Sequence, residues 1–396
     1  MTETESVVTT IECRSCGTQY SPDISAFPCE NCGGFLDPIY DIDALDIDRE
    51  TLDERNGSMW KYRELLPIRD TAAVSSLGEG STPLIDCQSL AERMGIGRLW
   101  IKDEGQNPTN TFKDRGASVT MSGLLERGID EAGIISVGNA GQAAAAYAAR
   151  AGITCHIYLT EDRGKIATTL MEAHGAEMHY GTDFISTKER MDRDQEKHGW
   201  TPLAPFNAPF RHEGKKTMGL ELFSQLNWDT PDHIVYPTGG GVGIVGIWKA
   251  YQHYSDLGWL DGANTPTINP AQTTGCAPIV RALEDGAEEH TPWDEPKSIA
   301  RGVMNPDPAA SRWILECVRA SGGTGVAVED RDAVDASLEV LSTEGVEMGV
   351  TSSVALAGAT ELAERGEFDE EDEVVVINTG AACKSVDELR AELGMA

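Results

Sequence analysis

From residue 98 onward, short apolar runs alternate with longer helical patterns, and this alternation restricts the fold more than any other feature of the chain. RLWIKDE (98–104) reads as a strand, and Lys113 to Arg127 as a helix. GIISVG (133–138) reads as a strand, and GQAAAAYAARAG (141–152) as an alanine-rich helix stopped by glycine. ITCHIYLT (153–160) predicts another strand and IATTLMEAHGAE (166–177) another helix. Later strands are expected at HIVYPT (233–238), around TTGCAP (273–278) and at EVVVINTG (373–380). Strands that are apolar throughout must be buried on both faces, so the pattern predicts α/β architecture with parallel sheets covered by helices. The 396 residues suffice for two or three domains, and no internal repeat interrupts them.

The start of the chain follows another rule. Residues 13–34 read CRSCGTQYSPDISAFPCENCGG, with Cys13 and Cys16 in one CxxC pair and Cys29 and Cys32 in a second. A glycine after each pair lets the backbone turn tightly and aim both sulfurs at one ion. Four thiolates suit a closed tetrahedral zinc site, which leaves no position for a substrate. Reduced cysteines or a redox pair are the competing readings. A segment of about thirty residues buries too little core to fold unaided, so a bound metal would supply the missing stability. The other cysteines (Cys87, Cys155, Cys276, Cys317, Cys383) are scattered, and an odd total argues against a disulfide framework. YDIDALDIDRETLDER (40–55) is a charged connector.

Three stretches carry chemistry. NPTNTFKDRG (107–116) sets Lys113 between Phe112 and Asp114. A lysine that acts covalently needs a fixed position and a neutral amine, and burial beside an aromatic ring helps with both. SVGNAGQ (136–142) and PTGGGVGIVG (237–246) each link a strand to a helix, where free backbone N–H groups and the helix dipole favour an anion. The second could be a dinucleotide loop, but no ribose-binding acid stands in place for it.

Together these stretches resemble the fold-type II pyridoxal-phosphate enzymes, and NPTNTFKDRG is most similar to the NPTGSFKDRG of their threonine synthase branch, with Asn110 and Thr111 in place of Gly and Ser. MWKYRELLP (59–67), SLGEGSTPL (76–84) and the zinc-ribbon-like start resemble the same branch. The resemblance implies two parallel-sheet α/β domains behind an N-terminal zinc-ribbon-like module at 1–40. A larger cofactor-binding domain is expected over 41–115 and 206–396, and a smaller one over 116–205. It implies that Lys113 carries pyridoxal 5'-phosphate as a Schiff base and that Asn139 touches the cofactor's phenolic oxygen. Ala140, Gly141 and Gln142 would line the substrate carboxylate pocket. Gly239, Gly240, Gly241, Val242 and Gly243 would cradle the cofactor phosphate. In INTGAACKS (377–385), Thr379 would set a neutral hydroxyl against the pyridine nitrogen, a mild electron withdrawal suited to elimination and replacement. FNAPFRHEGKKT (206–217) resembles NPYRIEGQKT, so Arg211 would meet a substrate phosphate, with Lys102 and Lys215 as candidate helpers.

The implied reaction converts O-phosphohomoserine and water to threonine and phosphate. Several positions depart from that branch. GGGVG resembles the dehydratase form, AACK stands for HGLK, and Gly349 and Val350 replace a Glu-Pro. A cysteate synthase-like or a threonine/serine dehydratase-like reaction is therefore the alternative. A zinc-bearing binding module that lost catalysis would be a different class, and the intact lysine and both glycine-rich loops speak against it.

Composition excludes other classes. The chain has 65 acidic and 32 basic residues, a formal charge of −33, which rules out general nucleic-acid binding. The acids are spread along the whole chain, as in proteins of halophilic organisms. With no run of 18 apolar residues and no signal-like start, a cytoplasmic enzyme without membrane partners is expected, acting on a small amino-acid substrate as a homodimer.

Overall fold

The computed structural model describes residues 6–160, 165–261 and 264–395. Its strands are β1 (Val8–Cys13), β2 (Gln19–Tyr20), β3 (Leu36–Tyr40), β4 (Leu84–Asp86), β5 (Arg98–Asp103), β6 (Glu131–Ile135), β7 (Thr154–Thr160), β8 (Glu177–Gly181), β9 (Thr201–Pro202), β10 (His233–Pro237), β11 (Thr267–Thr273), β12 (Val326–Val328) and β13 (Glu373–Asn378). The chain divides into two units, residues 1–81 with 113–218 and residues 82–112 with 219–396. Residues 41–81, 113–115 and 206–218, expected with the larger domain, thus group with the first unit. The reason is apolar packing: Met59, Leu66 and Ile68 share one buried cluster with Val119, Ala208 and Phe210.

The first unit holds two sheets. One is the antiparallel ribbon β2-β1-β3, with Ile11, Cys13, Cys29 and Leu36 at its small core. Its two cysteine loops are built alike: the Gly17 amide donates to the Cys13 carbonyl, and the Gly33 amide to that of Cys29. The other sheet is parallel, in the order β8-β7-β6-β9. Helix Asn139–Ala151 covers it with the small side chains of Ala144, Ala145, Ala146 and Ala148 and the ring of Tyr147, in one cluster with Met121 and Leu124 of helix Lys113–Glu126. Helix Lys113–Glu126 also meets the start of helix Arg211–Gln225 at backbone distance. A Cβ on Gly214 would lie 2.2 Å from the Arg115 carbonyl oxygen, so only glycine fits there.

The second unit is one six-stranded sheet in the order β12-β11-β10-β13-β5-β4, parallel except for the edge strand β4. Val374, Val376, Leu99 and Ile101 lie in a core shared with helices Asp330–Thr343 and Val350–Glu364. The strand expected around 273–278 lies earlier, at β11. Pro278 opens helix Pro278–Glu284 instead, because its fixed φ suits the first helical turn. The sequence of β11, TINPAQT, reads as a turn through its Asn-Pro pair, yet Pro270 pairs in register with Tyr236 inside the sheet.

Candidate active site

In the second unit, three neighbouring strands, β10, β13 and β5, run parallel and end at the same edge of the sheet. In open α/β sheets, ligands bind beyond the carboxyl ends of the strands. The loop after β5 is pinned there to the loop after β13. The Phe112 amide donates to the Thr379 carbonyl at 3.0 Å, the Ala381 amide to the Asn110 carbonyl at 3.1 Å, and Thr111 bridges Gly380. Asn110 takes a positive φ of 62°, a conformation that asparagine tolerates better than most residues. Lys113 follows Phe112 in the chain.

After β10, Gly239 to Gly241 lead into helix Val242–Asp256, whose first two residues are Val242 and Gly243. Gly241 caps that helix with φ 66°, and no side chain bonds the first turn. A Cβ on Gly241 would sit 2.2 Å from the Ile314 side chain, and one on Gly239 would sit 2.8 Å from the Gly302 carbonyl oxygen. The loop is thus bare backbone at a positive helix end, with no acidic side chain within it. That donor set fits a phosphate.

Thr379 is buried at the end of β13, and its hydroxyl lies 3.1 Å from that of Ser352. The Ser352 hydroxyl also accepts from the Gly380 amide at 3.0 Å. Ser352 had no place among the sequence-predicted residues, although it stands in the VTSS run beside the substituted Gly349 and Val350. Lys102, a candidate helper, is wholly buried and committed elsewhere. Its ammonium pairs with Glu221 at 2.5 Å and donates to the Thr82 carbonyl and the Gln225 side chain, both at 2.8 Å.

In the first unit, Lys113 and Arg211 open their respective helices. Burial, aided by the Arg211 guanidinium, pulls the Lys113 ammonium down to about 7 from its ordinary value of 10.5. Protein atoms surround the amine closely, while part of the side chain stays open to solvent. Burial also lowers Arg211 to about 10. Its guanidinium donates to the Leu203 carbonyl, and no carboxylate pairs with it among the described residues. The side chain is only partly buried, and a cation there without a counter-charge is suited to an anion from outside the chain. Lys215 is buried and donates to the Lys113 carbonyl at 3.2 Å, which bridges the two helix starts.

The ribbon holds this corner in place. On β3, Asp37 lies 3.2 Å from the His212 ring nitrogen, and the Tyr40 hydroxyl donates to Glu213, which also pairs with Lys216. Three buried residues next to Arg211 (His212, Glu213 and Lys216) are thereby tied to the strand that closes the cysteine module. The module's sulfurs suit one ion: all four lie within 4.8 Å of one another, with Cys13 to Cys32 at 3.5 Å and Cys16 to Cys29 at 3.8 Å. Zinc–sulfur bonds of about 2.3 Å in a tetrahedron give a sulfur spacing of about 3.8 Å.

The third predicted group lies after β6. Asn139, Ala140, Gly141 and Gln142 form the first turn of helix Asn139–Ala151, whose Gly138 cap has no side-chain bond. The Ser136 hydroxyl accepts from the Gly141 amide at 3.0 Å. The Asn139 and Ala140 amides stand at the first two helical positions, where no intrahelical acceptor exists.

The family model for pyridoxal-phosphate dependent enzymes matches residues 75–380. The threonine synthase of Methanocaldococcus jannaschii is 35% identical over 384 residues, which cover 95% of this chain and 93% of that protein. The threonine synthase of Methanosarcina acetivorans is 36% identical over 380 residues, 94% of this chain and 92% of that one. Among solved structures, threonine deaminase isoform 2 from Solanum lycopersicum matches with a TM-score of 0.67 at 23% identity, over 80% of this chain and 84% of that one. The L-serine ammonia-lyase from Rhizomucor miehei matches with a TM-score of 0.68 at 19% identity, over 79% and 98%. The structural matches carry the fold, which is that of the fold-type II enzymes. The chain belongs to the pyridoxal-phosphate-dependent enzyme family, on its threonine synthase branch.

Proposed function

We infer that this chain converts O-phosphohomoserine and water to L-threonine and phosphate, with pyridoxal 5'-phosphate as cofactor. The observation that carries the reading is the pairing of Lys113, whose amine is half neutral near pH 7, with Arg211, a partly buried guanidinium lacking a carboxylate partner among the described residues. The first suits covalent capture of a carbonyl and proton transfer at neutral pH. The second suits a substrate phosphate.

Each assigned residue then has a task. Lys113 holds the cofactor and later carries protons at the substrate's α and β carbons. Gly239, Gly240, Gly241, Val242 and Gly243 hold the cofactor phosphate through backbone N–H groups. Thr379, steadied by Ser352, offers a neutral hydroxyl to the pyridine nitrogen, and Asn139 meets the phenolic oxygen. Ala140, Gly141 and Gln142 take the substrate carboxylate. When bound, the cofactor supplies a sink for charge developing at the α carbon. Phosphate on Arg211 would cancel the positive charge that disfavours the Lys113 ammonium, so substrate binding would raise that amine's proton affinity.

The same reading extends to the rest of the chain. The four cysteines hold a structural zinc that fixes β3 and, through it, the turn bearing Arg211. The acidic surface belongs to a cytoplasmic enzyme of a high-salt interior, acting as a homodimer. Phosphate release from O-phosphohomoserine, measured beside O-phosphoserine, threonine and serine, tests the function. Turnover fastest with O-phosphohomoserine supports it. Faster ammonia release from threonine or serine would move the assignment to a dehydratase, the reading that the GGGVG loop favours.

A further inference from the structure

None of the residues assigned above includes a histidine pair that the first unit's parallel sheet brings together. β7 carries His156, β8 carries Glu177 and His179, and β6 carries Glu131. His156 and Glu177 are register partners on adjacent strands. His156 Nδ1 lies 3.2 Å from His179 Nε2 and 3.3 Å from a Glu177 carboxylate oxygen. One donor atom from each of the three falls within 4.8 Å of the others. Metal–nitrogen bonds of about 2.0–2.1 Å in a tetrahedron separate the ligand atoms by about 3.3 Å, so both short spacings already match tetrahedral edges.

The surroundings fit as well. His156 Nε2 lies 3.4 Å from Glu131, in the place of a carboxylate that orients a ligating imidazole through its second nitrogen. Both rings are held in plane. His156 stacks on Trp200 at 6.0 Å and His179 on Tyr158 at 4.4 Å, while the Tyr158 hydroxyl donates to Asp194 at 2.8 Å. Arg190 lies 3.3 Å from His179 Nδ1, a nitrogen that must carry the proton once Nε2 binds an ion. Its exposed side chain would then turn to its other partners, the Tyr180 carbonyl and Asp194.

We propose that His156, His179 and Glu177 bind a divalent transition-metal ion of the zinc class, with Glu131 orienting His156 and a fourth position open to water. Two imidazoles and one carboxylate favour such an ion over calcium or magnesium, which prefer all-oxygen sets. The site is separate from the four-cysteine site and goes beyond the proposed reaction.

The test uses full-length protein with cofactor bound, equilibrated with micromolar zinc chloride, and counts zinc per chain by elemental analysis. His156→Gln with His179→Gln should hold about one ion fewer than wild type while keeping turnover and circular dichroism. Glu131→Gln should bind that ion about tenfold more weakly. Cobalt chloride in place of zinc should add d–d bands without sulfur charge-transfer intensity, and the double variant should lose them. If the double variant misfolds, nuclear magnetic resonance of the wild-type imidazoles decides: zinc should shift the His156 and His179 signals together. Equal ion counts in wild type and folded variant, or imidazole signals unmoved by zinc, overturn the proposal.

Discussion

Lys113 ties stability to acidity through a single amine. Its folded-state value is pulled down to about 7, by burial first and by Arg211 second, while the unfolded chain holds the proton up to 10.5. Between these values the unfolded state binds more protons, so stability rises with pH, and the whole cost is present below about pH 7. In cofactor-free protein, Lys113→Met should therefore be more stable than wild type below about pH 7, and the advantage should fade as pH approaches 10.5. Urea midpoints across that range measure it. A gap that stays constant would show that the amine titrates normally. With cofactor added, Lys113→Ala should lack the visible absorption band and all turnover. Arg211 makes a second case. Arg211→Ala should cost roughly 2–5 kcal/mol in kcat/KM for O-phosphohomoserine, as for a buried charge pair, and Arg211→Lys should fall between because it keeps charge but loses the fork. Slow elimination from serine should be spared. Equal losses on both substrates would make Arg211 a structural cation.

At the scale of elements, the ribbon and the crossing at Gly214 carry consequences for catalysis. β3 reaches the Arg211 turn through Asp37, Tyr40, His212 and Glu213, so loosening the cysteine module should loosen that turn. Cys13→Ser with Cys16→Ser, or zinc chelation, should raise KM for the phosphorylated substrate several-fold while cofactor absorption persists. Unchanged KM after verified metal loss would uncouple the two. Gly214→Ala must push helix Arg211–Gln225 away from the Arg115 carbonyl and should cost roughly 1–3 kcal/mol in a denaturant midpoint. Much of this architecture is legible in sequence, because apolar runs such as VVVI (374–377) and glycine-rich turns report buried strands and strand-to-helix loops directly. β11 is not, since its Asn-Pro pair imitates a turn and only the surrounding sheet overrides it. Ser352 is hidden for a different reason: its partner Thr379 is 27 residues away, and nothing local marks two serines in an apolar helix as a hydrogen-bonding device. The unit boundary at residues 112 and 113 is equally silent, because it depends on which core Met59 and Phe210 share.

For the molecule as a whole, the charge of −33 sets the solvent it needs. Salt screens self-repulsion over a Debye length that falls from roughly 10 Å at 0.1 M to about 3 Å at 1 M. The melting temperature should therefore rise from about 0.1 M to molar potassium chloride. A flat or falling curve would mean that the acidic surface has another purpose. The order of the second unit's sheet has a further outcome, which concerns the ribosome. β13, the last of this sheet's strands to be translated, is inserted between β10 and β5, and its Asn378 bonds Asp103 across 275 residues of sequence. At about 5–20 residues per second, β5 must wait roughly 14–55 s for its neighbour to be translated. Throughout that interval β5, joined by β10 once it is translated about halfway through, offers an open edge to any other strand, which makes the nascent chain a natural client for chaperones. Chains stopped before residue 373 should accordingly remain protease-sensitive in the second unit, whereas chains that include β13 should close the sheet in a single cooperative step.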